Sequence, residues 1–272
     1  MSTVNPDLEL NAKRFSGEKY IQVYDQFRPT PPDVILHQSL NYLNKKQAKQ
    51  LLDLGCGTGI STLAWQSSAE KIIGVEPSEA MLKVARQKVK DNDSITYLQA
   101  FANEIPLPNG SIDLVTCSQS FHWMEPESTL AEIDRLLQKH GVLCIYDVEW
   151  PPLVNASYET AYRDLFRKVD QITNDLGETI AHKWRKDQHA KNVRKSQVFR
   201  YVTEASFHKR QPFDKELLIG IALSQGGLEA LLKRGFSTDQ IGIDEFVRKV
   251  NGMKPLPYQE IIFSYKVIFA VK

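Results

Sequence analysis

A chain of 272 residues, 42% of them apolar and 25% charged, has the length and composition to bury a full core as one large domain or one domain with a sizeable insertion. Its 34 basic and 33 acidic side chains leave a net charge of +1, which offers no electrostatic footprint for a phosphate backbone and sets nucleic acid aside as the expected partner. No apolar run reaches the roughly 18 residues of a spanning helix, and the opening MSTVNPDLELNAKRF lacks the apolar block of a signal peptide, so no membrane partner and a cytoplasmic location are expected.

In chain order, Phe15, Tyr20, Tyr24 and Phe27 recur at helical spacing and predict a helix that ends before Pro29. Val34, Ile35 and Leu40 predict a second helix over 33–43, with Asp33 as its cap. A strand at 51–54, a helix at 60–65 and a strand at 72–75 follow. Ser78 then caps a helix carrying Met81, Leu82, Ala85 and Val89 on one face. Strands at 95–98 and 112–117, a helix at 130–137, and a strand at 142–146 opened by Gly141 complete the run. Short apolar strands alternating with amphipathic helices predict a doubly wound α/β sheet, covered on both faces, over the first 150 residues.

Beyond Trp150-Pro151-Pro152 the pattern changes. Helical periodicity at 158–172 is followed by the basic run 182-HKWRKDQHAKNVRK-195, a strand at 199–207, and helices at 216–234 and 238–250. The charge run is read as a solvated face, with an anionic substrate drawn in by Arg185 or Arg194 as the alternative, and Gln225-Gly226-Gly227 as a hinge or a helix break. The β-rich end 258–272 suits a closing strand of the same sheet, so the division expected is 1–50, 51–150 and 151–272. Cys56, Cys117 and Cys144 are odd in number, and no two have metal-ligand spacing. Cys117 and Cys144 sit in apolar runs as small hydrophobes of a reducing compartment, and no metal is expected.

The stretch 51-LLDLGCGTGI-60 drives a strand into Gly55, Gly57 and Gly59. In open α/β sheets this loop borders the ligand crevice, and glycine lets a ligand approach the backbone. The spacing G-x-G-x-G fits neither the dinucleotide fingerprint nor the P-loop, and no lysine follows Gly59 before Lys71. Glu76 ends the second strand about 20 residues on, where a carboxylate can accept ribose hydroxyls and would repel a phosphate on that sugar. A glycine loop that cradles no phosphate, beside an acid for a ribose, describes a nucleoside.

The segments 53-DLGCGTG-59 and 74-GVEPSEAML-82, joined by 102-ANEIPLPNGSIDLVTCSQSFHW-123, closely resemble the class I S-adenosylmethionine-dependent methyltransferases, in their small-molecule, type 11 branch. The resemblance covers roughly residues 50 to 148. It implies a Rossmann-like sheet, mostly parallel with an antiparallel C-terminal strand and helices on both faces. S-adenosylmethionine is the implied cofactor. The glycine loop, Asp53, Gly55, Cys56, Gly57, Thr58 and Gly59, would meet its methionine part, with Asp53 ordering the loop or meeting the amino group. Glu76 would hold the ribose, Pro77 and Met81 would wall the adenine, and Ser118 and Gln119 would border the sulfonium. Relatives carry Asp-Ala after the third strand where this chain has Phe101-Ala102, so Asn103 or Glu104 substitutes, or adenine packs against Phe101.

The resemblance, with its Y-x-x-x-R-P opening, also implies that residues 1–50 fold over the cofactor, with Tyr20, Tyr24 and Arg28 offered to the site, and that His122 in 121-FHWM-124 is a candidate base. Residues 151–235 would carry specificity. The expected activity is methyl transfer to a small-molecule acceptor, with a carboxylate, as in the trans-aconitate methyltransferases, one candidate. Methylation of RNA or protein, and non-catalytic S-adenosylmethionine binding, are the alternatives. Against nucleic acid, the Asn/Asp-Pro-Pro-Tyr/Phe signature is missing at the fourth strand, since Pro151-Pro152 follows the fifth. Oligomeric state is not legible.

Overall fold

The computed structural model describes residues 6–13, 17–90, 92–177 and 182–272, so Phe15 of the predicted first helix lies outside the described residues. Three helices, α1 (Pro6–Lys13), α2 (Glu18–Phe27) and α3 (Asp33–Leu43), precede the sheet. α2 stops at Phe27 as Pro29 requires. Asp33 enters α3 as its first residue behind Pro32, so its expected capping role is corrected; its charge still suits the positive end of the helix.

The alternating run follows as β1 (Ala48–Leu54), α4 (Ile60–Ala64), β2 (Ala69–Val75), α5 (Glu79–Lys88), β3 (Ile95–Leu98), β4 (Ile112–Ser118), α6 (Pro126–Leu136) and β5 (Leu137–Val148). Next come α7 (Ala156–Asp175), α8 (His189–Lys195), β6 (Tyr201–Pro212), α9 (Lys215–Leu223), α10 (Gly226–Lys233), α11 (Thr238–Ile241), α12 (Ile243–Gly252) and β7 (Glu260–Val271). The helix predicted at 216–234 is two helices broken at Ser224-Gln225, and that predicted at 238–250 is broken at Gly242, whose φ of 96° leaves the helical region. The strand predicted at 199–207 is longer and later, at Tyr201–Pro212, because it pairs with β7 along its whole length. None of the described helices is long and apolar enough to cross a membrane.

The seven strands lie in the order β3-β2-β1-β4-β5-β7-β6, with the first five parallel and β7 antiparallel to both β5 and β6. Strand alternation divides the core between the two faces. Leu51, Ile72 and Leu114 pack in one apolar cluster with residues of α3, α7 and α9, whereas Leu52, Ile73 and Val115 join residues of α6 and α8. Order reverses at β1, which lies between β2 and β4, and that is the point at which an open α/β sheet forms its crevice.

One buried carboxylate fixes the carboxyl edge at this point. Asp53, opposite Thr116 of β4 in register, accepts from Thr116 Oγ1 at 2.9 Å, and from Ser61 Oγ and Thr62 Oγ1 of α4 at 2.6 and 2.7 Å. It therefore ties β1, β4 and α4 together. A second fastening seats α2 on α9: Tyr20 Oη donates to Ser224 O at 3.1 Å, and Arg28 Nη2 to Ser224 O at 2.8 Å and Gln225 Oε1 at 3.1 Å. Gly220 of α9 lies under the Phe27 ring, where a Cβ would fall among the ring atoms.

Asp53→Ala leaves three buried hydroxyls without their acceptor and is expected to lower unfolding stability by roughly 1–3 kcal/mol; an unchanged urea midpoint would contradict the tie. Gly220→Ala overpacks the α2–α9 contact and is expected to cost about 1–3 kcal/mol. Thermal unfolding measures it, and an unaltered Tm would show that α2 is not seated on α9 as described.

Candidate functional site

A cavity opens at the carboxyl ends of β1, β2, β3 and β4, with an empty volume of about 780 Å³ including its mouth. Its floor is glycine and carboxylate. Gly55 and Gly57 adopt φ of 66° and 56°, and they line the cavity with Glu76. The two glycines serve different ends. A Cβ on Gly55 would stand 2.5 Å from Ser120 Cβ, so Gly55 permits close packing of the β4 loop; a Cβ on Gly57 would meet nothing within 4 Å and would project into open space. Gly57 is the cradle.

Glu76 is 8% exposed, and each carboxylate oxygen accepts one backbone N–H: Oε1 from Ser78 at 3.0 Å and Oε2 from Gly57 at 3.2 Å. The carboxylate thus stands between the glycine loop and the start of α5. Burial pushes its pKa up to about 7, outweighing the two N–H groups that favour the ionised form. Ser78 sits at the N-cap of α5 without a side-chain capping bond. Among the described residues Glu76 is the one charged side chain on the cavity wall.

The remaining wall is largely apolar. Pro77, Met81, Phe101 and Ala102 line one part, with Asn103 as a polar neighbour, and Ser118, Gln119 and Ser120 line the end of β4. Gln119 is held at φ 51°, a left-handed conformation uncommon outside glycine, by its N–H bond to Tyr146 O at 2.9 Å. Tyr24, Leu8 and Asn11 close the cavity from α2 and α1. Asn11 is the latch of that roof: Nδ2 donates to Trp123 O at 3.1 Å and His182 O at 2.9 Å, and Oδ1 accepts from His182 N at 3.0 Å.

Several residues of the glycine motif do not reach this wall. Asp53 lies behind the loop with its three hydroxyl donors, so it orders the loop rather than meeting a ligand. Cys56 and Thr58 are buried outside the lining, and Gly59, at φ 80°, is a packing glycine crowded by Tyr97 and Ala85. Tyr20 and Arg28 are likewise outside it. Both are spent on Ser224, and the Arg28 guanidinium stacks 4.8 Å over Tyr24 and 5.4 Å over Trp150, so they position Tyr24 instead of facing the cavity.

His122 is also absent from the lining. It is 7% exposed, its Nδ1 is 3.4 Å from Asp147 Oδ1, and burial holds its pKa down near 4 against the pull of Asp147. Burial alone would raise Asp147, yet His122 and Lys186 outweigh it and hold that carboxyl well below its usual range. Sequence reading missed Leu8, Asn11, Trp123 and Met124, because the roof is assembled from segments with no shared motif. Of Tyr20, Tyr24 and Arg28 in the opening segment expected to cover the cofactor, Tyr24 is the one that lines the cavity.

Comparison with known proteins gives the site a family. The methyltransferase domain matches residues 52–145. A ubiquinone/menaquinone biosynthesis C-methyltransferase of Campylobacter jejuni is 30% identical over 173 residues, 56% of this chain and 72% of the relative. An uncharacterized methyltransferase of Mycobacterium bovis is 31% identical over 123 residues, 45% of this chain and 48% of the relative, so the chain spans about half the length of some of the proteins it matches.

Among solved structures, one described as a type II methyltransferase of Anaeromyxobacter dehalogenans superposes with a TM-score of 0.62 at 18% identity, over 90% of this chain and 97% of that one. A phosphoethanolamine N-methyltransferase of Haemonchus contortus, solved with S-adenosylhomocysteine, gives 0.54 at 18% identity over 99% of this chain and 60% of that one. These two show the shared fold. Together with an open cradle at Gly57 and a buried carboxylate at the end of β2, the matches place the chain in the class I S-adenosylmethionine-dependent methyltransferases.

Proposed function

We propose that the chain methylates a small, largely apolar acceptor, and that the residues on the cavity wall hold S-adenosylmethionine for that transfer. The observation that carries this reading is that, among the described residues, one carboxylate is the cavity's sole charged side chain. Glu76 would accept the ribose hydroxyls on the lone pairs not engaged by Ser78 and Gly57. Gly57 leaves room for the methionine portion, and Phe101, Met81 and Pro77 offer an apolar slot for adenine.

When bound, the cofactor supplies a methyl group already activated on a sulfonium. What the chain adds is position and exclusion of water. Gln119 and Ser118 stand at the strand end where the acceptor would be aligned, and Asn11, Leu8 and Tyr24 cover it. No cationic side chain lines the cavity among the described residues, and Arg28 is committed to Ser224 and Gln225. An uncharged acceptor therefore fits this wall better than the carboxylate that resemblance alone suggests. No histidine lines it either, which favours an acceptor atom that attacks without a histidine base.

The raised pKa of Glu76 gives this reading a pH signature. A carboxyl held near 7 when folded, against about 4.5 when unfolded, adds stability below pH 4.5 that is lost as pH rises through 7. Ribose hydroxyls favour the ionised form, so cofactor binding draws the pKa back down. At about pH 6 binding should release close to one proton, and at about pH 8.5 almost none. Calorimetry in two buffers of different ionisation enthalpy reads this. Equal proton counts at the two pH values, or the same release in Glu76→Gln, would remove Glu76 from the ribose. Transfer of radiolabelled methyl should occur to uncharged small acceptors in preference to carboxylates; the reverse preference would overturn the acceptor class.

A further inference from the structure

Outside the cavity, a second group of polar side chains is buried with few hydrogen-bond partners for its ring nitrogens. His122 lies in the 3-10 turn Phe121–Trp123, Asp147 near the end of β5, and His189 at the start of α8. They are 7%, 5% and 1% exposed. One nitrogen or oxygen from each lies within 4.8 Å of the others. His122 Nδ1 is 3.4 Å from Asp147 Oδ1, and His189 Nε2 is 3.9 Å from Asp147 Oδ2.

His122 Nδ1 and both ring nitrogens of His189 make no hydrogen bond, and Asp147 Oδ1 has the ion pair with Lys186 in place of one. Buried polar atoms ordinarily find partners, so three unpaired imidazole nitrogens around a buried carboxylate call for a ligand that binds all three side chains. Two imidazoles and a carboxylate are a donor set for zinc and its first-row neighbours and not for magnesium or calcium, which take oxygen. For bonds of about 2.0–2.1 Å a tetrahedral ligand edge is about 3.3 Å, close to the first spacing and within a small rotamer shift of the second.

We propose that His122, Asp147 and His189 form a binding site for a divalent transition cation, with zinc as the fitting probe. Lys186 explains how the site is balanced otherwise. Its Nζ lies 2.7 Å from Asp147 Oδ1, while the side chain is 38% exposed, so the ammonium neutralises the carboxylate and can swing to solvent when a cation takes its place. Its departure opens the fourth coordination position from the solvent side. A bound cation would staple α8 and the basic run around it to β5 and to the turn whose next residue, Trp123, lines the cavity. The wall behind the acceptor would then be fixed by metal as well as by packing.

The test uses the full chain, stripped with a chelator and titrated with zinc by calorimetry, with cobalt absorption as the report of coordination. One equivalent is expected to bind, with the visible bands of four-coordinate cobalt. His189→Ala should weaken binding on the order of 100-fold, as should Asp147→Asn. Lys186→Ala, a change at a half-exposed side chain, should tighten it several-fold by removing the competing ammonium. Circular dichroism confirms that each variant is folded, and His189→Gln replaces His189→Ala if the latter is not. Absence of a stoichiometric site, zinc affinity unmoved by loss of His189, or unchanged affinity in Lys186→Ala would each overturn the proposal.

Discussion

The Asp53 carboxylate is the interaction on which the geometry of the crevice depends. A charged group taken out of water at the end of a buried strand is unfavourable unless hydrogen-bonded on every side, and three hydroxyls from β4 and α4 meet that need. Because those donors belong to different elements, satisfying one carboxylate fixes where the chain leaves β1, where α4 starts and how β4 lies alongside. The glycine turn is what remains between these fixed points. Its backbone must double back within five residues, and glycine at positive φ is the least strained way to do so.

On this foundation the second carboxylate does a different job. Glu76 is held by two backbone N–H groups, one from the turn and one from the start of α5, so it belongs to the wall and not to a flexible side chain. Burial leaves it on the margin of ionisation, in a cavity whose other walls carry no charge among the described residues. A carboxylate so placed is satisfied by neutral donors better than by a phosphate, which is the physical content of the sequence reading from glycine spacing and acid position. The roof adds a further constraint, since Tyr24 is set by Tyr20 and Arg28 through a helix break far along the chain.

The strands and their order of appearance were legible because a parallel sheet buries both faces, so each strand reads as a short apolar run regardless of what it touches. Of the helix breaks, that at Gln225-Gly226-Gly227 was legible as a hinge or break, whereas its partners and the break at Gly242 were not. The stretch from Lys215 to Lys233 is helix-forming through most of its length, and it parts at Ser224-Gln225 where Tyr20 and Arg28, 204 and 196 residues away in sequence, take up the Ser224 carbonyl. At the site, motif membership and exposure to the cavity proved to be different properties. Gly55, Gly57 and Glu76 face it, whereas Asp53, Cys56, Thr58 and Gly59 turn away, because consecutive residues of a tight turn point in different directions. His122 misleads for a related reason: it sits beside Trp123 in sequence, but its ring nitrogen faces Asp147. The cluster with His189 has no sequence signature, as its members come from three distant segments.

The cavity at the ends of β1 and β2 suits an adenosyl sulfonium and not a dinucleotide. Calorimetric titration of the purified chain with S-adenosylmethionine and S-adenosylhomocysteine, with NAD as control, tests this most directly. Both sulfur nucleosides are expected to bind saturably at one per chain, and NAD not at all. Binding of NAD, or failure of both nucleosides to bind, would contradict it.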